Sequence, residues 1–473
     1  MSRNVAFSGV RSIDALLSGF AWDQTNLTFA FPTDPNGYGI NYARGENTNG
    51  FGSVNVAQQF ALRDAAIYVG LYTNLTFAEG APNELAHIRF AMSGVPSTAW
   101  AYFPSGTAQD GDIWMNPQGG ATYLTPDLGN WGYATVFHEF GHALGLQHGH
   151  AENPDDPVFL SPSEDNWNYS LMTYRSYTGA QTDFVQGNLG SDNPTTYMQD
   201  DIAALQYMYG ANFDANAGNT TYRWSPSTGQ FTVNGVSWGT PLANKIFMTV
   251  WDGNGTDTYD LSAYGTNLTV NLQPGAFSTF SAAQVADLDR NTAYRPALGN
   301  VANARLYQGD ARSLIENAVG GSGNDRITGN AARNTLTGNA GNDSLNGSSG
   351  NDILDGGSGH DVLTGGSGAD IFVFKNHRPG SASYDKITDF NRSVDSYLKI
   401  DNKYMSKLGP AGHLSSSKFV LGTHAKDAGD HLIYDKAKGY LYYDPDGTGA
   451  AAKQLIVCLT NKASLAASDI YVI

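Results

Sequence analysis

Two patterns of hydrophobic and polar residues divide the chain near residue 210. Before that position, stretches that alternate apolar and polar side chains, such as 27–31 and 87–91, flank the segment Val54–Tyr72, in which apolar residues recur at helical spacing. Alternation predicts strands, and the recurrence predicts an amphipathic helix whose spaced apolar residues are Val56, Phe60, Ile67 and Leu71. The first region is therefore expected to be α/β.

Two further helices are predicted from the residues at their ends. One should cover residues 131–144, because Gly145 follows it as a C-terminal glycine. The other should cover residues 196–209, since Pro194 precedes it and a glycine follows it. The three helices frame a first domain that we expect to span residues 1–210.

Beyond residue 210, Gly, Asn, Asp and Thr dominate, and a strict nine-residue repeat begins at Gly320. Six tandem copies run to Val373, each close to Gly-Gly-x-Gly-x-Asp-x-U-x, where U is apolar. A flexible linker has no reason to keep an apolar residue in fixed phase, whereas this pattern is typical of a calcium-binding parallel β-helix. The apolar eighth positions should stack inside it: Ile327, Leu336, Leu345, Leu354, Leu363 and Phe372.

The repeats also predict where calcium ions bind. Aspartates supply hard oxygen ligands, and glycines allow turns that leave backbone carbonyls free to face an ion between successive turns. The second copy, with Ala332 for glycine and Asn334 for aspartate, predicts a weak or absent ion. The expected calcium residues are Gly321, Gly323, Asp325, Gly338, Asn339, Ala340, Gly341, Asp343, Ser348, Gly350, Asp352, Gly356, Ser358, Asp361, Gly365, Ser367 and Asp370.

Calcium candidates also lie outside the repeats. The acidic loop 252–257 and the turn 216–220 could bind one ion together, through Asn216, Gly218, Thr220, Asp252, Asn254 and Asp257, although ordinary turns explain them equally well. Residues 381–473 recover a strand-like pattern and are expected to cap the repeats, which would otherwise expose their core. Asp389 and Asp395 in this tail are further calcium candidates.

Length and composition narrow the class of protein. A chain of 473 residues exceeds one ordinary core, which predicts separate domains at 1–210, 211–380 and 381–473. The formal charge of 27 − 44 = −17 disfavours nucleic acid and anionic membranes as partners. One cysteine excludes a disulfide within the chain. No run of about 18 apolar residues occurs and the start lacks the apolar core of a signal peptide, so we expect export by another route.

Residues 138–148 carry the strongest chemical signal, His-Glu-Phe-Gly-His-Ala-Leu-Gly-Leu-Gln-His. On a helix His138 and His142 share one face, and the glycine at 145 lets the chain turn so that His148 becomes a third zinc ligand. Three imidazoles leave zinc an open position for water, and Glu139 is placed to act as general base. His150 is expected to be a solvated neighbour rather than a ligand.

A second segment, 170–174, fits the Met-turn that accompanies this zinc motif in metzincins. Zinc motif, Met-turn with tyrosine, and calcium nonapeptides, in that order, resemble the serralysins, which are secreted RTX proteases of Gram-negative bacteria. The resemblance implies an α/β N-terminal metzincin zinc protease domain followed by an all-β parallel β-roll. It also implies that Met172 lies beneath the metal and that Tyr174 binds zinc at rest and later stabilises the oxyanion.

The resemblance implies a cellular setting as well. It predicts a secreted, monomeric, broad-specificity endopeptidase with one catalytic Zn²⁺ and several structural Ca²⁺ ions, which cleaves protein substrates. It is expected to leave the cell through a type I secretion transporter and to meet a proteinaceous protease inhibitor. The alternative is a non-enzymatic RTX surface or adhesion protein with a structural zinc site, and loss of Glu139 would favour that alternative.

Overall fold

The computed structural model describes residues 1–39, 41–150, 158–182, 190–289, 294–375 and 384–473. Four α-helices lie in these ranges: α1 (Arg11–Asp14), α2 (Val56–Tyr72), α3 (Trp131–Ala143) and α4 (Gln199–Tyr209). Of the helices in this described part, none is both long enough and apolar enough to cross a lipid bilayer.

A mixed β-sheet forms the centre of the first region. The strands before residue 120 are β1 (Ser2–Asn4), β2 (Phe20–Trp22), β3 (Asn26–Ala30), β4 (Gly52–Ser53), β5 (Thr76–Glu79), β6 (Ile88–Met92), β7 (Ala99–Ala101) and β8 (Asp112–Met115). The sheet order is β5-β3-β6-β8-β7, with β4 beside β6, while β1 and β2 pair separately. Strand β7 lies at one edge and runs antiparallel to β8. Edge strands present unpaired backbone groups, so another extended segment could pair with β7.

Helix α2 has nearly the predicted extent, but three of the four apolar residues on which its prediction rested face outward. Val56, Phe60 and Ile67 are 78%, 61% and 52% exposed. Small side chains on the opposite face allow α2 to pack closely on α3. The helix prediction is confirmed, whereas most of the apolar stripe on which it rested faces solvent and only Leu71 packs against the core. The buried residues of α2 are Gln58, Ala61, Leu62, Ala65, Ala66, Tyr68, Val69 and Tyr72.

The other two predicted helices end as their glycines indicate. After α3, Gly145 has φ +105°, and a Cβ there would lie 2.2 Å from the carbonyl oxygen of Phe20. Only glycine fits such a position without strain. Helix α4 begins at Gln199 rather than at Thr196, because Met198 is the extended residue that precedes its first turn.

Two long, mainly parallel sheets make up the second region. Their orders are β11-β10-β9-β13-β17-β19-β21-β23-β25-β31-β26 and β14-β18-β20-β22-β24-β30-β29-β28-β27, and β12, β16 and β15 form a third sheet. The strands are β9 (Thr221–Trp224), β10 (Phe231–Val233), β11 (Val236–Gly239), β12 (Met248–Val250), β13 (Thr258–Asp260), β14 (Thr269–Asn271), β15 (Phe277–Ser278), β16 (Val301–Asn303), β17 (Asn317–Val319), β18 (Arg326–Thr328), β19 (Thr335–Thr337), β20 (Ser344–Asn346), β21 (Ile353–Asp355), β22 (Val362–Thr364), β23 (Ile371–Phe374), β24 (Asp385–Ile387), β25 (Tyr397–Ile400), β26 (Gly412–His413), β27 (Phe419–Leu421), β28 (Leu432–Asp435), β29 (Tyr440–Tyr443), β30 (Gln454–Leu459) and β31 (Ile470–Val472).

The nonapeptides alternate between these two sheets, so one turn of the roll takes two repeats. Ile327 pairs with Leu345 in one sheet, and Leu336 pairs with Leu354 in the other. All six apolar eighth positions are 0% exposed, which confirms that they stack inward. The tail does not form a separate layer, because β24, β25, β30 and β31 continue the same sheets. The domain boundaries at 210 and 380 remain predictions.

The two regions pack directly on one another. Trp167 and Met198 of the first region form an apolar cluster with Phe247, Val285 and Leu288 of the second. A backbone hydrogen bond of 2.9 Å from the N–H of residue 195 to the carbonyl of residue 247 joins the same surfaces. The loop that carries the Met-turn is therefore supported from behind by the β-roll region.

Candidate metal centre and calcium loops

Three histidines converge where α3 ends and the chain turns back. His148 returns to the helix so that its Nε2 lies 3.1 Å from Nε2 of His138 and 3.0 Å from Nε2 of His142. The ligand atoms of all three lie within 4.8 Å of one another, the one such group found among the described residues. Imidazole nitrogens that share a tetrahedral zinc ion each lie about 2.0–2.1 Å from it, and this cluster is compact enough for that.

Backbone carbonyls orient the two helical histidines. Nδ1 of His138 lies 2.9 Å from the carbonyl oxygen of Leu171, and Nδ1 of His142 lies 2.7 Å from that of Leu146. Because a carbonyl only accepts, each Nδ1 carries the hydrogen and each Nε2 keeps a lone pair for a metal. A set of three neutral imidazoles fits zinc and leaves one coordination position open.

Glu139 lies beside the cluster in a buried position. The side chain is 5% exposed, and no described residue forms a hydrogen bond with its Oε2. Burial raises the pKa of Glu139 to about 8. A carboxyl group in such surroundings can hold and release a proton near neutral pH.

The Met-turn is held in place by a residue that the sequence did not single out. Asp201, at the start of α4, accepts hydrogen bonds from Ser170 Oγ at 2.6 Å and from the backbone N–H of Leu171 at 2.7 Å. Leu171 in turn orients His138, and Met172 beside it is 0% exposed. An acidic residue in the first helical turn was visible in the sequence, but these two hydrogen-bond partners lie about 30 residues earlier in the chain. No local sequence pattern predicts a contact over that separation.

Tyr174 lies against the third histidine. Its ring centroid is 4.3 Å from that of His148 and 4.5 Å from that of His150. His150 is 7% exposed, so the expectation that it is solvated is wrong. Its ring stacks on His148 with centroids 5.1 Å apart and fills space beneath Tyr174. The role of Tyr174 as a zinc ligand remains a prediction.

Two hollows of very different size meet at Glu139. The larger is a cleft of about 590 Å³ that extends past His142 and Phe103, with the N-terminal segment 5–7 on its far wall. The smaller is a pocket of about 30 Å³ on the other side of the glutamate, toward the start of α3. Strand β7 borders both hollows. An extended chain beside β7 would therefore cross the histidine cluster.

Aspartates form ladders along both sides of the roll. On one side the backbone N–H of Asp325 donates to Oδ1 of Asp343 at 2.7 Å, and that of Asp343 donates to Asp361 at 2.8 Å. On the other side Asp352 donates in the same way to Asp370 at 2.9 Å. Each rung joins residues 18 positions apart, which is two nonapeptides.

The second carboxylate oxygen of these aspartates is where an ion fits. Oδ2 of Asp343, Asp352 and Asp361 is buried and has no hydrogen-bond partner among the described residues. Burial raises the pKa of Asp343 and of Asp352 to about 7. Buried carboxylate oxygens beside glycine-rich turns are ligands that suit calcium. The remaining expected residues lie in the same loops: Gly321, Gly323, Gly338, Asn339, Ala340, Gly341, Ser348, Gly350, Gly356, Ser358, Gly365 and Ser367.

The second repeat differs in its chemistry. Asn334 occupies the aspartate position, and its Nδ2 donates to the carbonyl oxygen of Glu316 at 2.8 Å and to Oδ1 of Asn330 at 3.0 Å. Nδ2 of Asn330 donates to two further carbonyls, those of Leu272 and Ile315. Amide hydrogens thus satisfy carbonyl oxygens at a turn where three other repeats leave a carboxylate oxygen without a partner among the described residues.

The ladders continue into the tail. Asp395 accepts from the N–H of Asp370 at 3.4 Å, and Asp389 accepts from the N–H groups of Gly365 at 3.0 Å and Gly366 at 2.7 Å. Asp385, which the sequence did not single out, accepts from Asp361 at 3.0 Å. It lies 24 residues after Asp361 rather than 18, so the nine-residue period could not reveal it.

The structure brings together the acidic loop 252–257 and the turn 216–220, which both precede the repeats. The N–H of Thr220 donates to Oδ1 of Asp257 at 2.7 Å, and the hydroxyl oxygen Oγ1 of Thr220 lies 3.1 and 2.9 Å from the carbonyl oxygens of Asn216 and Gly218, to either of which it can donate. Oδ2 of Asp257 has no partner among the described residues. Asp252 lies in the same cluster and accepts from the N–H of Asn254 at 2.9 Å.

The structure thus defines a class of protein in which a three-histidine cluster in an α/β region is joined to a parallel β-roll. Residues 211–472 match the family described as Peptidase M10 serralysin C terminal. The match covers more than half of the chain, and the protein belongs to this family.

Named relatives extend the similarity into the first region. Metallopeptidase AprA of Pseudomonas marginalis is 33% identical over 314 residues, 64% of this chain and 60% of that protein. Metalloprotease AprA of Pseudomonas entomophila (strain L48) is 30% identical over 332 residues, which cover 67% of this chain and 62% of that protein. Serralysin B of Dickeya chrysanthemi is 35% identical over 265 residues, which cover 53% of this chain and 49% of that protein. The chain spans about half to three fifths of the length of these relatives.

A solved structure also matches part of the chain. The solution structure of the AlgE6R3 subunit from the Azotobacter vinelandii mannuronan C5-epimerase is 31% identical and covers 32% of this chain and 80% of that one. Its TM-score of 0.23 is too low to bear on the fold.

Proposed function

We propose that this protein is a secreted zinc-dependent endopeptidase that hydrolyses peptide bonds in extended protein segments. The observation that carries the proposal is the convergence of His138, His142 and His148 beside the buried Glu139, at a cleft bordered by β7. Family membership supports it, since the similar proteins named above include metalloproteases.

The side chains of the cluster have distinct proposed roles. The three histidines would hold one zinc ion, which when bound polarises a carbonyl and lowers the pKa of water to about 7. Glu139 takes the proton of the attacking water and passes it to the leaving amine. Its Oε2 is suited to this task because no described residue competes for it.

Two residues of the Met-turn complete the proposed site. The Tyr174 hydroxyl would serve as a fourth ligand in the resting enzyme and then donate a hydrogen bond to the oxyanion as charge develops. The ring contact of Tyr174 with His148 supports this placement. Met172, fully buried beneath the helix, gives the cluster an apolar floor.

Calcium is proposed to stabilise the roll. The unpartnered oxygens of Asp343, Asp352, Asp361 and Asp257 support ions at both ladders and at the loop that contains Asp252. Each ion would replace a buried, uncompensated carboxylate by a coordinated one. The glycines, serines and carbonyl-presenting residues named as candidates would supply the remaining ligands.

The proposed setting rests on family membership. A type I secretion transporter would export the chain, its substrates would be proteins, and a proteinaceous inhibitor would control it as a monomeric enzyme. The alternative, a non-enzymatic RTX adhesion protein with a structural zinc site, is disfavoured by the intact Glu139 and by the cleft that opens beside it.

A casein digestion assay tests the proposal. Wild-type protein should cleave casein and lose this activity with a zinc chelator, and Glu139→Ala should lower the rate about 10²- to 10⁴-fold because the proton acceptor is gone. Glu84→Ala, which removes an exposed glutamate, is the matched control and should not change the rate. If wild-type protein with full zinc content cleaves no casein, and Glu139→Ala behaves identically, the enzyme hypothesis is wrong.

A further inference from the structure

We propose that Trp131 and Trp167 restrict the residue that follows the cleaved bond to small side chains. The inference rests on the proposed endopeptidase function and names its substrate class: protein segments with glycine, alanine or serine at that position. Its basis is the pocket of about 30 Å³ beside Glu139.

The pocket is small because aromatic side chains close it. Tyr123, Trp131 and Trp167 line it together with Thr135 and Thr173. A cavity needs a volume of about 10–15 Å³ to hold one water molecule, so this pocket admits about two groups of that size. A methyl or hydroxymethyl group fits that space, whereas the side chain of leucine or phenylalanine does not unless a wall moves.

The tryptophan wall is firmly supported. Trp167 is 5% exposed, its Nε1 donates to the carbonyl of Thr173 at 3.1 Å, and its N–H donates to that of Arg175 at 3.0 Å. Behind it lie Phe247 and other apolar residues of the second region. Trp131 packs on Trp167 with ring centroids 6.1 Å apart. Moving either ring would open a cavity in a packed cluster, which is costly.

The direction of a bound segment follows from the sheet. Strand β7 passes from the small pocket, which Thr98 and Ala99 line, to the large cleft, which Ala101 and Phe103 line. A segment that adds to β7 in the antiparallel sense, the more stable pairing, runs from the large cleft to the small pocket. Residues before the cleaved bond then occupy the 590 Å³ cleft, and the first residue after it faces the tryptophans.

The test compares peptide substrates that differ only in the residue after the cleaved bond. With full-length wild-type protein, kcat/KM for alanine should exceed that for leucine by about tenfold or more, the range that pocket size produces in other enzymes. Trp131→Ala should bring this ratio below about two by admitting leucine. Phe103→Ala, on the other side of Glu139, is the matched control: it should change selection before the bond and leave the ratio as it was.

A second variant keeps the test valid if Trp131→Ala is destabilised. If Trp131→Ala shows a lowered melting temperature, Trp131→Phe keeps an aromatic ring of smaller size and should lower the ratio about threefold. The inference is wrong if the wild-type enzyme cleaves the alanine and leucine peptides equally, or if its size limit falls on the residue before the bond. In either case the proposed function stands. Absence of any cleavage by zinc-loaded protein refutes the proposed function instead.

Discussion

The histidine cluster and the β-roll both present candidate metal ligands, but they hold these ligands in opposite ways. His138 is fixed by the carbonyl of the distant Leu171 and His142 by that of Leu146, just past the end of its own helix, so their Nε2 atoms already converge. In the roll, one oxygen of Asp343 and of Asp352 accepts a backbone N–H, while the other is buried without a partner. The first site is preorganised by protein contacts, whereas the second, if calcium binds as proposed, would be completed by the ion.

Because of this difference, losing a metal should affect the two regions differently: activity in the first and folding stability in the second. A site whose donors are held by the protein can lose its ion and keep its shape, because its hydrogen bonds and packing remain. Without ions, the stacked buried carboxylates must be protonated; if they stay charged, mutual repulsion and desolvation destabilise the folded state at every turn. Metal removal should therefore abolish a reaction in the first region and folded structure in the second.

Removal of calcium is expected to have the largest effect. An ion present at 100 times its dissociation constant stabilises the folded state by about 2.7 kcal/mol, and the roll has several candidate sites. Five of the eight tryptophans lie before residue 210, at positions 22, 100, 114, 131 and 167, so most of the tryptophan fluorescence reports on the first region. Calcium chelation should reduce the β-sheet circular dichroism signal well before the tryptophan emission shifts.

Magnesium provides the control for that experiment. It prefers a smaller octahedral site and keeps its waters, so it should not restore the melting temperature that calcium gives. A melting curve that does not change between chelator and excess calcium would contradict the calcium-dependent roll.

Sequence reasoning was most successful where the chemistry is local. The eleven-residue histidine motif and the nine-residue repeat each lie within one continuous stretch, and their spacing alone indicated which residues would share a face or a turn. The exposed residues of α2 show where it failed, because Val56 and Phe60 fit a helical period, yet the buried face is made by other residues, among them three alanines. Asp385 was out of phase, and the partners of Asp201 were 30 residues away.

Those failures share a physical cause. Which face of a helix is buried depends on the neighbour that packs against it, and close approach favours small residues over large ones. His150 is buried for a similar reason, since the chain folds Tyr174 and His148 around it. Contacts that form only after distant segments meet leave no periodic trace in the sequence.

Asp201 offers the sharpest test of preorganisation. In Asp201→Ala, the N–H of Leu171 and the hydroxyl of Ser170 lose a buried acceptor, at a cost of about 1–3 kcal/mol for each group. Leu171 orients His138, so zinc affinity should also fall, by about 10- to 100-fold. Urea denaturation and a competitive zinc titration measure the two effects.

Asp201→Asn is the control variant, because an amide oxygen can still accept from Leu171. It should recover most of the stability and zinc affinity that alanine loses. Equal zinc affinity in wild type and Asp201→Ala would show that the Met-turn does not position the histidines.

Asn334→Asp converts a protein-held turn into one that needs an ion and is expected to have the smallest effect. Without calcium, the variant loses the hydrogen bonds from Nδ2 to Glu316 and Asn330 and places a carboxylate against a carbonyl, which should cost about 1–3 kcal/mol. With calcium it should bind one more ion per chain. Urea denaturation with and without calcium, together with calcium content, measures both changes. Asn351→Asp, at an exposed acceptor position, should change neither, and an Asn334→Asp protein as stable as wild type in chelator would show that the amides are not what holds this turn.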